Sequence, residues 1–332
     1  MTENNLETPA ENIVNQENST AQQRDWFELI VAATLPVSIG ALALFFYLNV
    51  PVFMTLNNWI SISVQVSTVM TIAIPFALLL MAGKIDLSVG STLALCGVVA
   101  GMSFEPLGIT GAIILTLVVG TSVGLINGVL VSAVGMSPII VTLGALTLIR
   151  GIAQWLAPNP VFGFPEEFLV IGYERILGLP MLTWIMLIVI SIGIIAMVLL
   201  PIGPQIIALG VNKRAAFLVG LRVKAIGISL YAVTGFFVAV AALMSISRIN
   251  SAPSGTLGIG VELSVLTAVL LAGVPFAGGK GSIVRVVLGV WLLGMLSNGL
   301  ILMNVPTELS LMITGLVLIV AAGLDVLRNK RS

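Results

Sequence analysis

A chain of 332 residues with 58% hydrophobic and only 8% charged side chains cannot coat a water-facing surface, because soluble domains carry about 25% charged residues. Its 14 basic and 14 acidic residues cancel, which removes any global electrostatic case for nucleic acid. The absence of histidine excludes mechanisms built on an imidazole base, ligand or proton relay. What remains is an all-α polytopic membrane protein, in which each crossing takes about 20 mostly apolar residues.

Residues 1–24 are polar, with Glu3, Glu7, Glu11 and Glu17 among Asn, Gln and Thr, and lack the apolar stretch of a signal peptide. They read as a disordered cytoplasmic tail. Apolar runs follow at 27–49, 58–82, 88–103, 108–134, 138–157, 181–200, 225–247, 263–276, 283–303 and 308–324, so the expected membrane domain, 25–328, holds about ten transmembrane helices. The runs at 88–103 and 263–276 are short and read as re-entrant or broken segments. Two connections are long: 158–180, and the basic segment 201–224, expected in the cytoplasm. Counted over that topology, the inside face gathers Arg24, Lys84, Lys213, Arg214, Arg222, Lys224, Lys280, Arg285, Arg328, Lys330 and Arg331, and the outside face only Arg175 and Arg248. The asymmetry places both termini, including the tail 329–332, in the cytoplasm.

Within the runs, Gln65, Asn127, Arg150, Gln154 and Asn298 are polar groups at positions where an unpaired one is expensive. They serve either as interhelical hydrogen-bonding groups or as the lining of a conduit, where amides offer an uncharged polyhydroxy solute both donors and acceptors. Asp86 and Ser88 interrupt the apolar sequence as an N-cap pair would. That turn reads as a capped connection, as a hinge or conduit element, or as both. Cys96 cannot form an intrachain disulfide and reads as a small core residue. Gly97 with Gly101, and Gly120 with Gly124 and Gly128, fall four apart on one helix face and predict close backbone packing.

In 205–220 the segment is too polar at Lys213 and Arg214 to span, and Ala215, Ala216 and Leu218 favour a short helix across the membrane surface. It is either an interfacial helix or a docking helix for a cytoplasmic partner. The stretch 275–282 fails as a phosphate loop, since Val274 and Gly281 stand where that loop needs Gly and Ser or Thr. It reads as a tight turn tipped by Lys280.

Several motifs recur in order: Asp86-Leu-Ser-Val-Gly-Ser91, Pro138-Ile-Ile-Val-Thr-Leu-Gly144 leading to Arg150-Gly151, and Ala208-Leu-Gly-x-Asn212 with Ala215, Ala216 and Gly220. Gly258-x-Gly-x-Glu-Leu263, Ala277-Gly-Gly-Lys-Gly281 and Asn298-Gly-Leu300 follow. Together, over about 27–328, they resemble the ribose-type permease subunit of bacterial ABC monosaccharide importers, in the branched-chain amino acid/ribose permease superfamily. The resemblance implies a ten-helix, vitamin B12-permease-like fold in the inner membrane. It also implies a homo- or heterodimer with a second permease, cytoplasmic ABC ATPase subunits, and a periplasmic or extracellular sugar-binding protein. By matched position, Asn212, Lys213, Arg214, Ala215, Ala216 and Gly220 would couple to the ATPase, and Gly258, Gly260 and Glu262 would contact the binding protein. Gln65, Asp86, Ser88, Asn127, Arg150 and Asn298 are the candidates for the translocation path. Catalytic, metal and cofactor sites are not expected.

Three positions depart from the family pattern. Lys84 replaces a second Gly, Lys213 replaces a Glu, and Pro201-Ile-Gly-Pro204 replaces a Thr-x-x-Gly-Arg lead-in to the coupling helix. They point to a non-standard ATPase partner or to a compensating change in it. An ion-coupled secondary transporter is disfavoured because Asp86 is the only acidic candidate near a span, and an enzyme because the runs hold no paired carboxylates or activated nucleophile. Branched-chain amino acids are the alternative cargo. Sugar is favoured because the Asp-Leu-Ser-Val-Gly-Ser form is the carbohydrate-type version.

Overall fold

The computed structural model describes residues 34–306, 308–317 and 319. Its helices are α1 (Thr34–Asn49), α2 (Leu56–Met81), α3 (Val89–Gly128, continued by a π-helical segment, Val129–Val134), α4 (Pro138–Leu156), α5 (Glu166–Tyr173) and α6 (Met181–Val198). They continue as α7 (Ile202–Val211), α8 (Lys213–Leu218), α9 (Val223–Ile249), α10 (Val261–Leu271), α11 (Ile283–Leu302) and α12 (Glu308–Val317).

Six of these, α2, α3 with its π segment, α4, α6, α9 and α11, are long and apolar enough to cross a membrane. The expectation of about ten transmembrane helices in a vitamin B12-permease-like arrangement is therefore corrected: the described residues hold six helical elements long and apolar enough to cross. Within α3 the runs at 88–103 and 108–134 stay two helical arms: the chain leaves helical geometry at Gly108 (φ 65°, ψ 176°) beside Pro106 and folds back, so that Asn127 returns to within 2.9 Å of Ser88. The run at 263–276 yields only the 11 residues of α10, because the chain turns at Ala272. Helices α1 and α12 are shorter than a span within the described residues. The tails 1–24 and 329–332, and with them Arg24, Arg328, Lys330, Arg331 and the placing of both termini, lie outside the described residues.

Helix α2 starts at Thr55, whose hydroxyl accepts the Asn58 N–H at 3.4 Å. Every residue from Met70 to Met81 is buried, the signature of a helix apolar on all sides and packed at the centre of a bundle. Beside it, α3 and α9 form the most intimate helix pair. A side chain at Gly120 would collide with the Gly235 carbonyl, and one at Gly124 with the Tyr231 carbonyl, so the predicted close approach is realised backbone against backbone.

The connection 158–180 is more ordered than its sequence shows. It holds α5, a hairpin pairing Arg175–Ile176 with Leu179–Pro180, and the strand Val161–Phe162 paired antiparallel with Ser251–Ala252. That second pairing ties the connection to the segment leading into α10.

Candidate functional site

Four polar groups meet where α2 hands over to α3. The Asp86 carboxylate accepts the Ser88 backbone N–H at 2.9 Å and the Ser88 hydroxyl at 2.6 Å. In turn the Ser88 hydroxyl accepts from the Asn127 amide at 2.9 Å. Tyr231 on α9 donates its hydroxyl to the Ile85 carbonyl at 2.8 Å. All five residues are buried. Ser88 is the N-cap residue of α3 but makes no side-chain capping bond; its hydroxyl serves the carboxylate instead.

Arg150 projects from α4 onto backbone carbonyls. Its guanidinium donates to Ser254 at 3.0 Å, Leu257 at 2.6 Å and Gly90 at 3.3 Å. Glu262 lies close enough to act on its charge. A side chain at Gly90 would collide with the Glu262 carboxylate and the Gly258 carbonyl. Gly258 takes φ +74°, a left-handed conformation that glycine adopts without strain. Arg150 and the Gly258–Glu262 segment, assigned separately in the sequence, thus form one cluster. Gln154, one turn further on, is exposed.

A third group surrounds Gln65. Its amide donates to the Ser297 hydroxyl at 3.3 Å, beside a cavity of about 330 Å³ that is also lined by Ser264, Ser310 and Thr314. Asn298 faces elsewhere and accepts from Asn58 at 3.0 Å. Sequence reasoning missed those hydroxyls because serine and threonine in apolar helices commonly bond the preceding turn. Ser264 and Thr314 do so here, to the Gly260 and Ser310 carbonyls.

At the basic end of the bundle, Asn212 separates α7 from α8, and its carbonyl oxygen caps α8 by accepting the Arg214 and Ala215 N–H groups, both at 3.0 Å. Ala215, Phe217 and Leu218 are exposed, whereas Ala216 turns into the chain's own interior. Gly220 (φ +86°) turns the chain back toward α9. Helix α7 is wedged against the end of α2: a side chain at Gly210 would strike the Met81 carbonyl and the Gly279 backbone, and the Gly279 N–H donates to Met81 at 2.8 Å. In the same junction Lys84 is nearly buried. Burial first, and the neighbouring Lys213 charge second, lower its ammonium from 10.5 to about 8.

Six long apolar helices with amides and a guanidinium among them define a multi-pass integral membrane protein. The chain matches the family described as branched-chain amino acid transport system / permease component over residues 58–322. It belongs to that family, whose members are transport proteins and not enzymes. It is 34% identical over 311 residues to the ribose import permease protein RbsC of Haemophilus influenzae, covering 92% of this chain and 93% of that one. Against the D-allose transport system permease protein AlsC of Escherichia coli the identity is 35% over 294 residues, covering 87% and 89%. Against the autoinducer 2 import system permease protein LsrD of Yersinia enterocolitica it is 33% over 311 residues, covering 90% and 91%. No solved structure matches the chain.

Proposed function

We propose that this chain is the inner-membrane permease subunit of a sugar-type ABC importer. It forms the path for a monosaccharide or similar polyhydroxy solute, with ATP hydrolysed in separate cytoplasmic subunits and the solute delivered by a periplasmic or extracellular binding protein. A second permease subunit completes the pathway. The observation that carries the cargo class is the near-full-length similarity to permeases named for ribose and D-allose. The cavity beside Gln65 supports it, because one amide and four hydroxyls suit sugar hydroxyls better than an aliphatic side chain.

In this reading Gln65 faces the solute. Asp86, Ser88, Asn127, Arg150 and Asn298, whose polar groups already bond within the chain, hold the path helices in register. The exposed Ile259 and Leu263 flank Gly260 and Glu262, which leaves a surface there for the binding protein. Lys84, Lys213, Arg214, Arg222 and Lys224 share one end of the bundle, and the positive-inside rule makes that end cytoplasmic. There α8, with Asn212 and Gly220 fixing its two ends, docks the ATPase and passes movement through α7 to α2.

Docking predicts that Ala215→Glu leaves the fold intact, because residue 215 is exposed. It should reduce co-purification of the ATPase and solute uptake together, by about tenfold, through an unpaired charge at the interface. Ala216→Glu should instead destabilise the chain itself, since Ala216 is 3% exposed. Undiminished ATPase co-purification with Ala215→Glu would remove α8 as the docking element.

A further inference from the structure

Between α8 and the start of α9 the surface folds into a cavity of about 660 Å³. Lys213, Arg214, Arg222 and Lys224 stand on its walls, with no carboxylate among the residues that line it. Most of the remaining lining is hydrocarbon, from Phe217, Leu221 and Val223 among others. Four like charges around one hollow repel one another until a counter-charge arrives.

A second observation points the same way. The Ser132 hydroxyl also lines the cavity; the residue is 4% exposed, and its oxygen has no hydrogen-bond partner among the described residues. A buried hydroxyl left unbonded is costly. Its position follows from the π-helical segment Val129–Val134, which takes side chains out of the α-helical register, a feature frequent at functional sites. Across the gap, α9 carries Gly227, where any side chain would meet the Ser132 hydroxyl and the Lys84 side chain. The backbone is shaped to leave this donor facing the basic hollow.

We propose that this cavity binds the phosphate headgroup of an anionic phospholipid. Ser132 donates its hydroxyl to a phosphate oxygen, the four cations neutralise the headgroup, and the acyl chains lie along Phe217 and Leu221. The apolar walls, next to the exposed Leu218 and Val219, favour a lipid over free phosphate, since clustered Lys and Arg beside apolar surface recognise anionic lipid. The site rests on the cavity and its charge; it shares Lys213, Arg214 and Phe217 with the proposed docking helix, so it is tested on the permease alone and by variants off α8.

The test uses the full-length chain in nanodiscs of phosphatidylcholine with a minor fraction of phosphatidylglycerol, with bound lipid read by native mass spectrometry. Phosphatidylglycerol should be retained selectively and survive an excess of inorganic phosphate. Arg222→Gln and Lys224→Gln, which lie off α8 and so outside the ATPase-docking helix, should each weaken retention about fivefold, and Ser132→Ala should weaken it as well. Equal retention of the two lipids by the unmodified chain would overturn the proposal without reference to any variant. Displacement by inorganic phosphate would overturn it in favour of a free-phosphate site, and unchanged retention in all three variants would show that the lipid binds elsewhere.

Discussion

Lys84 is 7% exposed in a turn where the family pattern has glycine, and its ammonium is lowered to about 8. In the unfolded chain it returns to 10.5. Between those values the unfolded chain binds more protons than the folded one, so stability rises with pH across that window, and the full penalty is present below pH 8. Lys84→Met keeps the hydrocarbon beside Gly227 and removes the charge. It should raise the thermal midpoint of the detergent-solubilised chain at pH 7 and flatten the rise between about pH 8 and 10. Equal pH slopes for the two proteins would contradict the buried-charge account. At this scale the sequence was a good guide to which polar groups are bonded inside the bundle, since an arginine or amide in an apolar run announces itself. It was a poor guide to their partners: Arg150 bonds carbonyls 104 and 107 residues away, which no local pattern encodes. Ala216 shows the same limit. Its place in a short helix was legible, but its inward orientation depends on how α8 sits against the rest of the chain.

Among the elements, α3 and α9 carry the argument from glycine spacing to packing. Gly124→Val would drive two methyl groups toward the Tyr231 carbonyl and should destabilise the chain by about 1–3 kcal/mol, the range for overpacking. Gly144→Ala on α4, where an added Cβ meets nothing within 4 Å, should be neutral or slightly stabilising. Thermal unfolding followed by size-exclusion recovery separates the two. A Gly124→Val protein as stable as the parent would mean that the helices do not approach this closely. The glycine stripe was legible because packing in lipid selects small residues at four-residue spacing. By contrast, α5 and the two-residue strands left no trace, being too short to show a period. Glu105, Pro106 and Gly108 read as a break, and the chain does reverse there, but only the fold shows that the two arms of α3 lie side by side, with Asn127 bonded to Ser88.

Across the whole molecule, the number of crossings was the least legible feature. Apolar runs report length and composition; they do not report where a run ends early, as α10 does at Leu271. The class of protein was legible because a transport permease repeats many short motifs in a fixed order. The packing of α7 against Met81 and Gly279 is a product of the fold, and in the proposed docking it would carry force on α8 to α2, the helix that carries Gln65. The central claim is that ATP hydrolysed on the α8 side moves a sugar through this bundle. The direct measurement is uptake into proteoliposomes holding this chain, its ATPase and its binding protein, with labelled ribose and labelled leucine compared. Ribose should accumulate only when ATP is present on the α8 side and should continue to do so in a protonophore, with leucine excluded. Accumulation driven by a proton or sodium gradient without ATP, or of leucine in place of ribose, would contradict the account.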